Sequence, residues 1–397
     1  MNKILIAALL LICLSASAQP KKKALFIIVD GIPADVIEKL TPPTLMEIAG
    51  DSGYTRAYTG GVKDSYNQTP TISAPGYIDL VAGVWGNKHN VWDNDIADPN
   101  YNYWNIFRIA KAARPSLKTA IFSTWTDNRT KLVVDGLDYS FDGLELDTVN
   151  YPHDKNANYI RKIDEAVSAH AASYVQSAGP DLSWVYLEFT DDMGHKYGDS
   201  DQFYNAILGA DQQIKRIWDA IKLREESLHE DWLIVITTDH GRSADTGKDH
   251  GGQSDRERTT WIVTNAKQLN EHFRETPAVV DILPSICNHL AIKIPDKQRD
   301  ELDGIPFIGE LDFTDLHASK DGNKINVEWK SRVNDDRKVD IYITPTNNFK
   351  KGAADKYLKV ASVPVKDQHF VISYKSTSNF YKIVIKTPNQ SLNTWIK

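Results

Sequence analysis

A chain of 397 residues with 41% hydrophobic and 25% charged side chains is long enough for one large α/β domain plus a smaller module. That composition excludes extensive disorder. The formal charge of -7 excludes a basic surface suited to wrapping a nucleic-acid polymer, but a local metal charge would still admit a small phosphorylated substrate.

The chain opens MNKILIAALLLICLSASAQPKKK. Lys3 supplies a positive start, Ile4 to Leu14 an apolar stretch too short to span a bilayer, and Ala16-Ser17-Ala18 a small-residue cleavage pattern. Residues 1–18 therefore read as a signal peptide, and the mature protein as exported to the periplasm or beyond, without a transmembrane segment. Bulky Ile12 in front of Cys13 argues against a lipid anchor there. Once Cys13 leaves with the signal, Cys287 is the single thiol, no intramolecular disulfide can form, and the apolar VVDILPSICNHLAI places that thiol in the core.

KKKALFIIVDG is a short apolar run ending in Asp30-Gly31, the pattern of a strand buried on both faces. TPTISAPGYIDLVAGV follows, and a helix beginning near Ser73 would put that hydroxyl at the positive end of a helix dipole. A capping role for Ser73 is the plainer alternative, and Ser65, Thr69 and Thr71 compete on composition. Two further runs repeat the first: LSWVYLEFTDDMGH, ending at Asp191, and DWLIVITTDHG, ending at Asp239. Long segments with apolar residues three and four apart, NANYIRKIDEAVSAHAASYVQSAG and DQFYNAILGADQQIKRIWDAIKLREES, flank the last two and predict helices. Strands alternating with helices predict an α/β fold, a largely parallel central sheet with helices on both faces, over residues 23–311. From about Thr314 the helical period disappears. KINVEWK, KVDIYITP, YLKVASVPV, HFVISY and FYKIVIKTP predict a small C-terminal all-β sandwich over 312–397, with packing as its main role and glycan or surface contact as a further one.

In parallel sheets, ligand sites form outside the carboxyl ends of the strands. Asp30, Asp191 and Asp239 fall at such ends, with His195, His240 and His250 close behind in sequence. Carboxylates gathered there would repel one another without cations, and mixed Asp/His donors suit zinc, with manganese or iron as competitors.

The ordered set resembles the alkaline phosphatase superfamily, and within it the nucleotide pyrophosphatase/phosphodiesterase branch. Asp30 in IIVDG matches that family's first aspartate. PTISAP matches its Pro-Thr-x-Thr-x-Pro, with Ser73 at the nucleophilic threonine. Asn94, twenty-one residues on, falls where the family has an asparagine that binds a phosphoryl oxygen. Asp191 and His195 in DDMGHKYG, Asp239 and His240 in TTDHG, and His250 in DHGG complete the pattern. The resemblance covers about residues 24–310. It implies one metal on Asp30, Ser73, Asp239 and His240, a second on Asp191, His195 and His250, two Zn2+ in all, and a phospho-Ser73 intermediate. The implied activity is hydrolysis of phosphodiester or pyrophosphate bonds in small exported substrates such as nucleotides. A phosphomonoesterase or a phosphoethanolamine-type transferase could use the same residues. SAPGY also approaches the sulfatase motif Ser-x-Pro-x-Arg, but Tyr77 stands in the place of the arginine and argues against that activity. Candidate substrate contacts are Asn94, Trp125, Arg129 and Tyr197, with Lys131 a second candidate cation beside Arg129. A non-catalytic, metal-stabilised glycan binder would have no need of Ser73.

Overall fold

The computed structural model describes residues 19–373 and 378–397; the signal peptide read at residues 1–18, with Cys13, lies outside the described residues. The run Ala24–Val29 has no face it could leave in water, and it becomes the middle of a sheet covered on both sides. That strand is β1 (Lys21–Val29). It is joined by β2 (Tyr54–Tyr58), β3 (Thr119–Ser123), β4 (Tyr139–Phe141), β5 (Leu182–Leu187), β6 (Glu230–Thr237) and β7 (Thr259–Thr264) in the order β2-β7-β6-β1-β5-β3-β4. All neighbours are parallel except β7, which runs against both β6 and β2.

Alternation along β1 decides which helices go where. Ala24, Phe26 and Ile28 pack with the helices Ser73–Ala82, Ile106–Ala113 and Ile282–His289 on one face. Leu25, Ile27 and Val29 pack with Ala34–Leu40, Pro43–Ala49, Asn158–Ala178 and Asp201–Leu228 on the other. The longest of these helices starts where the Ser200 side chain accepts the Phe203 N–H, and it buries a stripe of Phe203, Ile207, Ala210, Ile214, Ile217 and Ile221. Cys287 sits wholly in the first core layer, as its apolar surroundings predict, and burial pushes its thiol up to about 12. The expectation of a largely parallel sheet between helices is borne out.

The C-terminal strands form two antiparallel sheets. β8 (Phe313–Asp321), β9 (Lys324–Ser331) and β12 (His369–Ser373) make one, in the order β12-β9-β8. β10 (Lys338–Thr344), β11 (Leu358–Pro364), β13 (Tyr381–Lys386) and β14 (Ser391–Ile396) make the other, in the order β11-β10-β13-β14. They close on Ile325, Val327, Trp329, Ile341, Ile343, Ile383 and Ile385. A buried ion pair and a hydrogen bond tie this sandwich to the larger unit: Lys382 Nζ reaches Glu301 at 2.5 Å, and Lys88 Nζ, paired with Asp303 at 2.6 Å, donates to Asn393 Oδ1 at 2.9 Å.

Candidate active site

Because β1, β5 and β6 are parallel neighbours, the segments leaving their carboxyl ends meet on one side of the sheet. Asp30 follows β1 directly, and Asp239-His240 follow β6. The third segment departs from the sequence expectation, since β5 ends at Leu187 and not at Asp191. The Asp164 carboxylate accepts the N–H groups of Glu188 and Phe189 at 3.1 and 2.9 Å, which ends the strand and starts the helix Phe189–Tyr197. Asp191 and His195 then lie one turn apart on one helix face, with the His195 Nε2 3.2 Å from an Asp191 oxygen. His250 arrives on a loop closed by Glu257, whose carboxylate accepts from the N–H groups of Gly252 and Ser254.

Two groups of ligand-type atoms result. Asp30, Asp239 and His240 form one, fully buried, and Asp191, His240 and His250 the other; in each group the atoms lie within 4.8 Å of one another. In the first, His240 Nε2 stands 3.4 Å from Asp30 Oδ1 and 3.2 Å from Asp239 Oδ2. None of those three buried atoms has a hydrogen-bond partner. Buried polar atoms are rarely left without partners, so three of them facing one another fit a cation between them. The electrostatics agree. Burial, then Asp239 and Asp191, push the Asp30 carboxyl far above its ordinary range, and burial followed by Asp191 pushes Asp239 up to about 7. Burial, then His250, pushes His240 far down. His195 stands at the open side of the second group, its Nε2 3.0 Å from that of His250, and is about half-exposed.

Ser73 opens the helix Ser73–Ala82 and is buried apart from 7% of its surface. Its first turn lies against Asp239: a side chain on Gly76 would come within 2.9 Å of the Asp239 Cβ. The hydroxyls that compete with Ser73 in sequence have other work or lie outside. Thr71 donates to Gly252 O at 2.9 Å and accepts from Gly251 N–H, while its own carbonyl bonds His250 Nδ1 at 2.9 Å. Thr69 donates to Asn67 O and accepts from Gly86 N–H. Ser65 is part-exposed in a turn to Val62.

Three residues behind these groups escaped the sequence reading. Tyr77 and Tyr186, both fully buried, converge on Asp30 Oδ2, Tyr186 at 2.7 Å. The residue standing in place of the sulfatase arginine therefore holds a carboxylate. Arg242, also fully buried, donates to Gly31 O, Asp191 O and Lys248 O at 2.8, 2.8 and 2.9 Å, and to Asp191 Oδ1. Its position two residues after His240 is the only sequence signal for it.

Residues 24–349 match the family described as type I phosphodiesterase / nucleotide pyrophosphatase. The chain belongs to that family. That family falls within the alkaline phosphatase superfamily. It is 26% identical over 279 residues to GPI ethanolamine phosphate transferase 1 of Yarrowia lipolytica, and 25% over 181 residues to the venom phosphodiesterase CdcPDE of Crotalus durissus collilineatus. These matches cover 63% and 43% of the chain but only 28% and 21% of the relatives' lengths. The phosphonate monoester hydrolase of Agrobacterium radiobacter has a similar fold, with a TM-score of 0.52, 12% identity, and coverage of 95% of this chain and 89% of that one.

The substrate-side candidates are placed in more varied surroundings. Asn94 is exposed, and its Oδ1 accepts the Ala74 N–H at 2.9 Å, which fixes the side chain over the start of the Ser73 helix and leaves Nδ2 as a donor. Trp125 is part-buried with its ring edge-on to Tyr77, 6.1 Å between centroids. Arg129 does not stand free as a phosphate ligand. Its guanidinium makes a two-pronged pair with Asp142 at 2.5 and 3.0 Å, and Lys131 pairs with Asp127 at 2.8 Å. Tyr197 packs against the second core layer beneath Lys196.

Proposed function

We propose that the protein is a two-metal phosphodiesterase acting on phosphodiester or pyrophosphate bonds of small exported substrates such as nucleotides, through a phospho-Ser73 intermediate. One observation carries the reading: Asp30 Oδ1, Asp239 Oδ2 and His240 Nε2 face one another without partners against the first turn of the helix that Ser73 opens. Asp30, Ser73, Asp239 and His240 would hold one ion, and Asp191, His195 and His250 the other. The donor set suits Zn2+, with Mn2+ or iron as competitors. When bound, such a pair neutralises the buried carboxylates, polarises a phosphoryl oxygen and favours the alkoxide form of Ser73.

The chain's own residues supply the rest. Ser73 gives its proton to solvent and its Oγ bonds to phosphorus as the bond to the leaving oxygen breaks in line, that oxygen taking a proton from solvent; water then adds at phosphorus, breaks the bond to Oγ and gives it a proton. The N–H of Ser73 and the Nδ2 of Asn94 are donors for a non-bridging oxygen. The pairing of Arg129 with Asp142 and of Lys131 with Asp127 favours diesters, because neither cation is left to neutralise the extra charge of a monoester. Trp125 and Tyr197 remain candidates for the leaving-group side. Likeness to an ethanolamine phosphate transferase supports a second reading, in which an alcohol replaces water in the last step. Residues 1–18 support export, and no helix among the described residues is long and apolar enough to cross a membrane.

The test is turnover of bis-p-nitrophenyl and p-nitrophenyl phosphate by zinc-loaded protein, by chelated protein, and by Ser73→Ala. The reading expects diester preference, loss on chelation with return on adding zinc, and no turnover by the variant. Unchanged turnover by either the chelated or the substituted protein refutes it. Adding ethanolamine to the diester assay and looking for a transferred product separates hydrolysis from transfer.

A further inference from the structure

The carboxylates on the two sides of the site are held by different means. Asp30 belongs to a strand end fixed several times over: its carbonyl accepts from the Thr190 hydroxyl at 2.6 Å, its Oδ2 receives two phenols, and the next N–H, that of Gly31, donates to Asp239 at 3.2 Å. Asp191 belongs to the first turn of a short helix, and His250 to a loop. One guanidinium joins the two segments to each other. Arg242 joins the Asp191 carbonyl and carboxylate to the Lys248 carbonyl, two residues before His250, and braces both against Gly31 O. Two glycines make room for it. A side chain on Gly194 would come within 2.1 Å of the guanidinium carbon, and one on Gly31 within 2.7 Å of a terminal nitrogen. The planar fork of arginine reaches three separate carbonyls and a carboxylate at once, a geometry that a lysine ammonium cannot copy.

We propose that Arg242 is a positioning residue for the outer metal subsite, Asp191, His195 and His250, and that this subsite depends on its guanidinium while the inner one, Asp30, Asp239 and His240, does not. The proposal rests on the two-metal reading above. It makes the two ions unequal: the inner is held by a preformed cluster, and the outer only while Asp191 and the His250 loop are clamped together.

The experiment is zinc titration of chelator-stripped full-length protein against a chromophoric competitor, with bound zinc counted by elemental analysis. Wild type is expected to bind two equivalents. Arg242→Lys keeps the charge but loses the fork, and is expected to weaken one equivalent at least tenfold and leave the other unchanged. Gly194→Ala tests the same point without altering Arg242. It displaces the guanidinium while improving helix propensity, so it keeps the test open if Arg242→Lys fails to fold. Selective loss of one equivalent in either folded variant supports the proposal. Equal weakening of both ions, or two undisturbed ions in a folded variant, overturns it and leaves the phosphodiesterase reading intact. A wild-type protein that binds fewer than two ions overturns the two-metal reading and this proposal together.

Discussion

The inner and outer halves of the site use the same residue types under opposite electrostatic conditions. Inside, Asp30 and Asp239 are wholly buried beside His240, which burial pushes far down; the phenols of Tyr77 and Tyr186 and the Gly31 N–H that bond them are uncharged, and both carboxyls are pushed upward. Outside, burial still opposes the charge on Asp191, but the hydrogen bond to His195 and the Arg242 charge outweigh it and hold that carboxyl well below its ordinary range. The inner group is an unmet demand for positive charge; in the outer one a side chain already meets part of it. What differs is the partner behind each ligand, and that partner decides how strongly an ion is called for.

The largest break in this comparison comes from the residue that both halves serve. Ser73→Ala is expected to lower kcat by about 10³-fold or more with both zinc equivalents retained, since it removes the nucleophile and no carboxylate. Steady-state turnover alongside elemental analysis checks both parts, and turnover near the wild-type rate would remove Ser73 from the proposed mechanism. Next come the halves themselves. His240→Ala removes a proposed ligand of the inner ion and is expected to abolish zinc binding there, whereas His195→Ala, at the half-exposed rim, should keep the inner ion and lose about 10²-fold in kcat. Equal zinc losses in the two variants would erase the distinction. Chelation of the wild type is expected to lower the melting temperature by several degrees, because an ion bound only by the folded state stabilises it by mass action, about 4 kcal/mol at a thousandfold excess over Kd. Differential scanning fluorimetry with and without zinc reads it directly.

The clustered acidic and imidazole positions were legible in sequence wherever an apolar run fixed the strand and a glycine fixed the turn, as at Asp30-Gly31 and Asp239-His240-Gly241. Asp191 was legible as a member of the cluster but not as a helix residue, because the strand is stopped by Asp164, twenty-seven residues earlier in the chain and invisible to local pattern. Long-range pairing also hid the rest. Arg129 reads as a free loop cation until Asp142 is seen beside it, and Tyr186 reads as one more apolar residue of LSWVYL although its hydroxyl holds Asp30. Arg242 looks like surface charge in GRSADTGKD, and only the close approach permitted by Gly31 and Gly194 shows it to be buried. In the sandwich, FTDLHASKD and SLNTWI were missed as strands because each alternates weakly; β8 is exposed along most of its length.

The smallest expected effect sharpens the comparison most. Tyr77 and Tyr186 lie 2.7 Å apart, oxygen to oxygen, and both reach the same Asp30 oxygen, so deleting one hydroxyl leaves the other in place. A hydrogen bond to a charged group contributes about 1.5–3 kcal/mol, but only the part the remaining phenol cannot supply is lost. Tyr77→Phe and Tyr186→Phe are therefore each expected to cost less than tenfold in kcat/KM, and the double variant far more than the product of the two. Asp191 is supported differently, with the Arg242 guanidinium at one carboxylate oxygen and His195 at the other, so neither support duplicates its neighbour as the two phenols do. If the double variant is merely multiplicative, the phenols act independently, the inner carboxylate has no backup, and the two halves differ in charge but not in redundancy.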